Sequence, residues 1–223
     1  MQYAARWTIL VKNDAAKKAL SAFMDELSSK SPAPGGGGAS ALIGAIGVSL
    51  CAMVANITSG KKKYAEYQED LDHILSFSAA SIDTLLKLID KDAEVFEPLS
   101  KAYGIPKDEP GRSEILEEAL AAACSVPMEI LREVSSIVDM IEQLSVKGSR
   151  LALSDVGVAA TALSAAMEGA AMNVYINTKL MKNRDLALKI NADAEALSAE
   201  GIIRCNAIYG QIAKELRDMQ CRD

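Results

Sequence analysis

Ala16, Leu20, Phe23 and Leu27 recur every three or four residues, the spacing that lines up one face of an α-helix. Asp14 is a good N-cap for that helix, and Pro32 and Pro34 stop it near Ser31, because proline lacks an N–H and restricts the residue before it. A second segment, Ala39–Thr58, is apolar on every side, and Ala41, Ala45 and Ser49 repeat along it every fourth residue. A helix that is apolar all round and smooth on one side belongs at the centre of a bundle. In a third segment Tyr64, Tyr67, Leu71, Ile74, Ser78, Ile82, Leu85, Ile89 and Phe96 keep the same spacing over ~30 residues, about 45 Å of helix. Pro98 is expected to kink or end it, with Gly104-Ile105-Pro106 as a loop.

A fourth helix is predicted from Ser113 through Leu120, Ile130, Val134 and Ile141, kinked at Pro127 and ended at Gly148. A fifth runs from Ser154-Asp155 to about Met181. A sixth, from near Arg184 to Met219, carries Ile190, Leu197, Ile208, Ile212 and Leu216. Trp7 to Val11 are β-like but have no hairpin partner, so Met1–Lys12 reads as an irregular arm or the start of the first helix. No alternating segment is long enough for a sheet. The expected fold is all-α, an antiparallel bundle of about six long helices in a single domain over 1–223.

Composition sharpens this picture. Half of the 223 residues are hydrophobic but only 4% are aromatic, so Ala, Leu, Ile and Met must fill the interior of closely packed helices. The net charge of −6 argues against nucleic acid as a partner, since that would want a basic face. The Ala/Gly/Ser-rich second segment passes the length of a membrane span, but with few large side chains its transfer energy is weak, so no membrane is expected. Cys51, Cys124, Cys205 and Cys221 are scattered and without nearby histidines, which excludes a metal site of the usual spacing and suggests reduced thiols in the cytoplasm. Arg6 and Lys12 flank only a short apolar run, so no signal peptide is expected. Helices this long form a slab whose open apolar faces a homodimer would cover.

The chemistry-bearing candidates are few. Pro32, Pro34 and the run Gly35, Gly36, Gly37, Gly38 read either as a plain loop ahead of a helix or as a cradle. If the helix begins near Ala39, its first amides and positive dipole end sit beside bare glycine backbone and suit an anion. At the other end of that helix Lys61, Lys62 and Lys63 are a cationic cluster for an anionic ligand or a solvated helix end. The only histidine, His73, lies among Glu69, Asp70 and Asp72, which leaves acid–base work to carboxylates, lysines or tyrosines. Asp92 falls between Ile89 and Phe96 on the third helix's apolar stripe, where desolvation would raise its pKa toward a general acid's range. At the stripe's edge it would instead be solvated or paired. On the fifth helix Asp155, Ala159, Ala162, Ala166, Gly169, Asn173 and Asn177 share one face, small in the middle and polar at both ends. A small stripe suits a helix contact, and two asparagines a turn apart suit a heterocycle rich in donors and acceptors.

Several of these segments together resemble one family. Ser31-Pro-Ala-Pro-Gly-Gly-Gly37, Thr58-x-Gly-Lys61, Asp90-x-Asp-Ala-x-x-Phe96, Val126-Pro127, Ser154-Asp-Val-x-Val-Ala159 and Asn173-Val-x-Ile-Asn177 occur in order over about two-thirds of the chain. They are similar to the cyclodeaminase domain of formiminotransferase-cyclodeaminase and to the stand-alone methenyltetrahydrofolate cyclohydrolases of that family. The chain departs from the pattern at Ser149, where asparagine is usual, and at Gly38, where Ser or Thr often stands.

The resemblance implies a folate enzyme acting at the N5–C–N10 unit of tetrahydrofolate, either cyclising 5-formiminotetrahydrofolate with release of ammonia or hydrolysing 5,10-methenyltetrahydrofolate to the 10-formyl form. It implies Asp92 as proton donor with Asp155 as the next candidate. Substrate contacts are expected from Pro34, Gly35, Gly36, Gly37, Lys61, Lys62, Ser154, Asn173 and Asn177, with the folate as substrate, no cofactor and no metal. The competing expectation from another class is a non-catalytic helical dimer scaffold that binds no folate and tolerates Asp92→Asn.

Overall fold

The computed structural model describes residues 14–219, so the arm expected over Met1–Lys12 lies outside the described residues. Helix α1 spans Asp14–Leu27, α2 Gly36–Thr58, α3 Gln68–Tyr103, α4 Arg112–Ala123, α5 Ser125–Ser135, α6 Val138–Lys147, α7 Leu153–Leu180 and α8 Arg184–Met219. Short 3-10 turns at Lys62–Tyr67 and Arg150–Ala152 lead into α3 and α7. Among the described residues there is no strand, and the all-α bundle is as expected.

Four long helices stand in a row, α3–α2–α7–α8, each antiparallel to the next, and α5 and α6 lie across one side of it. The N–H of Ser149, just before α7, donates to Thr58 Oγ1 at the end of α2, so these two central helices run oppositely. Small residues let them approach closely. A Cβ built on Gly47 would meet the Leu163 side chain of α7 2.9 Å away, and one on Gly44 would meet Val134 of α5 at 3.0 Å and Ala166 of α7 at 3.5 Å. The core is aliphatic: Val48, Leu71, Ile74, Leu85, Ile130, Ile141, Leu163 and Met167 are fully buried. A smaller cluster of Leu99, Ala102, Leu120, Met181 and Ala187 closes the end where α3, α4 and α7 finish or begin.

Three expectations are corrected. The predicted fourth helix is three segments, broken at Cys124 and again at Ser136-Ile137. Pro127 therefore sits in the first turn of α5, where a missing N–H has no intrahelical partner to lose. Pro98 does not end α3, which continues through it to Tyr103, with Leu99 and Ala102 held in the second core cluster. And α2 starts at Gly36, three residues earlier than expected, so most of the glycine run is its first turn.

α2 and the segment 150–180 are each long and apolar enough to cross a membrane, but 61% and 56% of their most apolar windows are buried within the bundle. Their apolar composition is the composition of central helices.

Candidate active site

The early start of α2 is explained by what its first turn holds. Gly35 is extended and caps the helix, and the first amides of any helix lack intrahelical partners. The N–H of Gly38 donates to Asp92 Oδ2 at 2.9 Å, across from α3. A Cβ on Gly37 would overlap the Asp92 carboxylate, and one on Gly36 would meet the Asn173 amide at 3.0 Å. The group lying against the glycine turn is the protein's own Asp92 carboxyl.

Asp92 is half-buried. Desolvation pushes its pKa above the ordinary carboxylate value, and the Gly38 N–H, by favouring the ionised form, opposes this only in part. The carboxyl is therefore both oriented through one oxygen and more easily protonated than a surface aspartate.

Asn173 and Asn177 approach from α7. Asn173 Nδ2 donates to the Gly169 carbonyl at 2.8 Å, and Asn177 Nδ2 donates to the Asn173 carbonyl at 3.0 Å and the Ala123 carbonyl at 3.3 Å. These carbonyls fix the amide orientations, and among the described residues nothing donates to either Oδ1. The two asparagines, Asp92, Gly35, Gly36 and Gly37 border one cleft of about 220 Å³, whose walls are completed by Pro32, Val95, Phe96, Pro127 and Ile176. The Ala33–Pro34 peptide at its lip is cis. One apolar wall, one carboxyl of raised pKa and two outward amide oxygens suit a flat heterocycle at which a proton is moved.

The remaining expected site residues lie elsewhere. Lys61 and Lys62 are exposed beyond the C-terminus of α2, about 34 Å from the glycine turn at the helical rise. Ser154 and Asp155 open α7 at that same far end, Asp155 about 27 Å along the helix from Asn173. They keep company there with Tyr64, whose phenol oxygen accepts the Arg150 N–H at 3.4 Å, and with the Arg150–Glu215 ion pair. Within one chain, then, the cleft gathers Asp92, the glycines and the asparagines but neither the lysines nor Ser154 and Asp155. Pro34 belongs to the cleft's lip through its place in the chain between Ala33 and Gly35, both of which line it.

Other chemistries find no support at the cleft. His73 is exposed and its ring lies tilted against Phe77, five turns of α3 before Asp92. Cys124, just past the cleft-lining Ala123, is buried and its thiol is pushed up to about 11, far from a thiolate nucleophile's range. Burial likewise pushes Cys51 up to about 12. Among the described residues no group of three or more His, Cys, Asp or Glu side chains is placed to hold a metal ion.

Sequence reasoning missed Pro127, Phe96, Val95 and Ile176 as cleft walls. The signal was there for three of them: Phe96, Pro127 and Ile176 sit inside the motifs that carried the resemblance, but no role had been attached to them. The departures are local in effect. A Cβ at Gly38 would meet only ordinary contacts from 3.6 Å, and Ser149 is buried with its backbone serving the α2–α7 junction.

The family model for formiminotransferase-cyclodeaminase matches residues 19–196. A methenyltetrahydrofolate cyclohydrolase of Methylorubrum extorquens is 36% identical over 206 residues, covering 91% of this chain and 99% of that protein. The formimidoyltransferase-cyclodeaminase of Sus scrofa is 34% identical over 73% of this chain, which spans 31% of that longer protein. The crystal structure of formiminotetrahydrofolate cyclodeaminase from Thermotoga maritima superposes with a TM-score of 0.74 at 30% identity, covering 86% of this chain and 95% of that one. The same helical row, recognised by sequence and by shape, makes this chain a member of the formiminotransferase-cyclodeaminase family of folate one-carbon enzymes.

Proposed function

We propose that the protein moves protons at the one-carbon unit bridging N5 and N10 of tetrahydrofolate, with Asp92 as the proton carrier and hydrolysis of 5,10-methenyltetrahydrofolate as the reaction. The observation that carries this reading is the Asp92 carboxyl, half-buried, raised in pKa and pinned by the Gly38 N–H at the floor of a cleft sized for a fused ring. The methenyl carbon of an N–CH–N cation is electrophilic. Water adds to it, giving one proton to the Asp92 carboxylate. The protonated Asp92 then returns that proton to N5 as the C–N5 bond breaks, and the carbinol oxygen loses its proton to solvent and becomes the carbonyl oxygen of a formyl group on N10. A carboxyl whose pKa burial has raised can take the proton and give it back, and so serves both steps. The outward oxygens of Asn173 and Asn177 are acceptors for the ring amide N–H and amino group of a pterin. No cofactor beyond the folate is invoked.

A second reading uses the same residues. In a formimino substrate N10 attacks the carbon and its N–H proton passes to the imine nitrogen; protonated Asp92 delivers a second proton to that nitrogen, which leaves as ammonia and gives the 5,10-methenyl cation. The likeness to a cyclodeaminase structure over nearly its full length favours keeping it. One assay separates the two: each substrate offered in parallel, with methenyl absorbance and ammonia both followed. Turnover of neither substrate, and no shift in melting temperature with either, would return the molecule to a non-catalytic scaffold.

We further infer a homodimer. α5 and α6 cover one side of α2 and α7, and the other side presents Ile46, Val158 and Met172, each about half exposed or more. A large apolar groove beside Val158 continues between α7 and α8 past Tyr209 and Leu216. A continuous apolar face of this kind is what a twofold partner covers.

A further inference from the structure

At about 220 Å³ the cleft falls below the ~300–1,000 Å³ usual for sites that hold a whole small-molecule ligand. It accommodates a heterocycle and leaves the aryl and glutamate portions of a folate outside. Lys61 and Lys62, the cations expected from the sequence to contact an anionic ligand, stand about 34 Å away at the other end of α2.

A second cavity, of about 310 Å³, lies on the same three helices. Along α4, Ala123 borders the cleft and Leu120 the cavity. Along α7, Asn177 borders the cleft and Leu180 the cavity. Along α3 the corresponding residues are Phe96 and Tyr103. The two spaces are therefore stacked one turn apart along α4 and α7 and two turns apart along α3, roughly 5–10 Å. Ile176 and Leu180, 55% and 50% exposed, form an apolar edge from one to the other that suits an aryl ring.

The cavity carries Lys107 from the α3–α4 loop, Arg112 from the first turn of α4 and Lys182 from the α7–α8 turn. Arg112 Nε donates to the Ile105 carbonyl at 2.8 Å, which orients the guanidinium and leaves its Nη groups without a partner among the described residues. Lys182 Nζ donates to Ser113 Oγ at 2.6 Å. Three acids also line the space. Glu117 is occupied by the N–H groups of Lys182 and Asn183, at 2.7 and 2.9 Å, while Glu109 and Glu114 are solvent-exposed. The half-buried charge left unpaired is that of Arg112. From Ala123 to Arg112 the helix rises about 17 Å, far enough to place the cations beyond an aryl group whose heterocycle fills the cleft.

We propose that this cavity receives the glutamate portion of the substrate, Arg112, Lys107 and Lys182 holding its carboxylates. The proposal rests on the folate reading above. Planar guanidinium and carboxylate match in a fork, and flexible lysines serve the further carboxylates of a longer tail.

The test compares monoglutamyl and triglutamyl 5,10-methenyltetrahydrofolate on the intact protein and on the double variant Lys107→Ala/Lys182→Ala, which keeps every backbone contact to Glu117. KM for the triglutamyl substrate should rise about tenfold at low salt, and less as salt screens the pairing, with kcat within about twofold. p-Aminobenzoyl-triglutamate alone should raise the melting temperature of the parent protein and fail to raise that of the variant. Unchanged KM and an unchanged ligand-induced shift overturn the subsite, as does a rise in KM confined to Lys61→Ala/Lys62→Ala. Turnover without any preference for tail length overturns the subsite alone, whereas no turnover of any folate by the parent protein overturns the folate reading and the subsite with it.

Discussion

The carboxylate of Asp92 occupies the volume that a side chain on Gly37 would need. An acid on α3 and a glycine in the first turn of α2 are thus one feature, and neither can change alone. Gly37→Ala should displace the carboxyl or push α2 away from α3. Overpacking of this kind costs about 1–3 kcal/mol, and a reacting group moved by about 1 Å can lose ~10²-fold in rate. Gly38→Ala, whose Cβ meets nothing closer than 3.6 Å, should cost much less in both measures. Urea unfolding and kcat for the two variants check this, and equal losses would disprove the overlap.

A second close approach fixes α2 against α7. A Cβ on Gly169 would overlap Ser40 Oγ, which cannot turn away without abandoning its hydrogen bond to the Gly36 carbonyl at 2.7 Å. Gly169→Ala should therefore destabilise by about 1–3 kcal/mol. The Ser40 Cβ itself would lie 3.4 Å from the new methyl, an ordinary contact. Ser40→Ala in the same chain should recover much of the loss, so the double-mutant cycle should show a favourable coupling of about 1 kcal/mol or more. Strict additivity of the two single effects would contradict this.

Which parts of this were legible in the sequence follows from the physics involved. The helices announced themselves because each buries a stripe, and stripes are periodic. Asp92 was legible as an acid on such a stripe, and Asn173 and Asn177 as two amides on one face. What could not be read was distance. Lys61 and Asp155 look as eligible as Asp92 until α2 and α7 are seen to be straight rods that carry them about 30 Å from the cleft. The break at Cys124 was hidden for a related reason: Pro127 marks an interruption, but only packing decides whether the helix kinks there or restarts three residues earlier.

The open face of α2 and α7 gives a prediction on assembly. Ile46 and Val158 are 51% and 56% exposed on neighbouring helices, opposite the side covered by α5 and α6. Ile46→Glu with Val158→Glu would place two carboxylates on the apolar face without disturbing the core. Light scattering at micromolar concentration should give a dimer mass for the parent protein and half that mass for the double variant, with helical circular dichroism retained. A dimer mass in both would put the twofold contact elsewhere.

The last prediction joins rate to stability through Asp92. Asp92→Asn keeps the shape, and its Oδ1 can still accept the Gly38 N–H, but the exchangeable proton is gone. General acid–base catalysis typically contributes ~10²–10⁴-fold, so kcat should fall by that order while KM changes little. The stability effect has a definite sign with pH. Burial raises the pKa of Asp92 in the folded chain above its unfolded value, so the folded state binds more proton in the interval between them. The stabilisation linked to that proton is fully present below the unfolded value and is lost as pH rises through the folded one. The asparagine variant has no such loss. Its stability relative to the parent should therefore increase as pH is raised from 4 to 8, read as the difference in urea midpoints at each pH. A variant that loses its rate but shows a pH-independent difference would mean that Asp92 is well solvated in the folded chain. A variant that keeps its rate would mean that another group moves the proton.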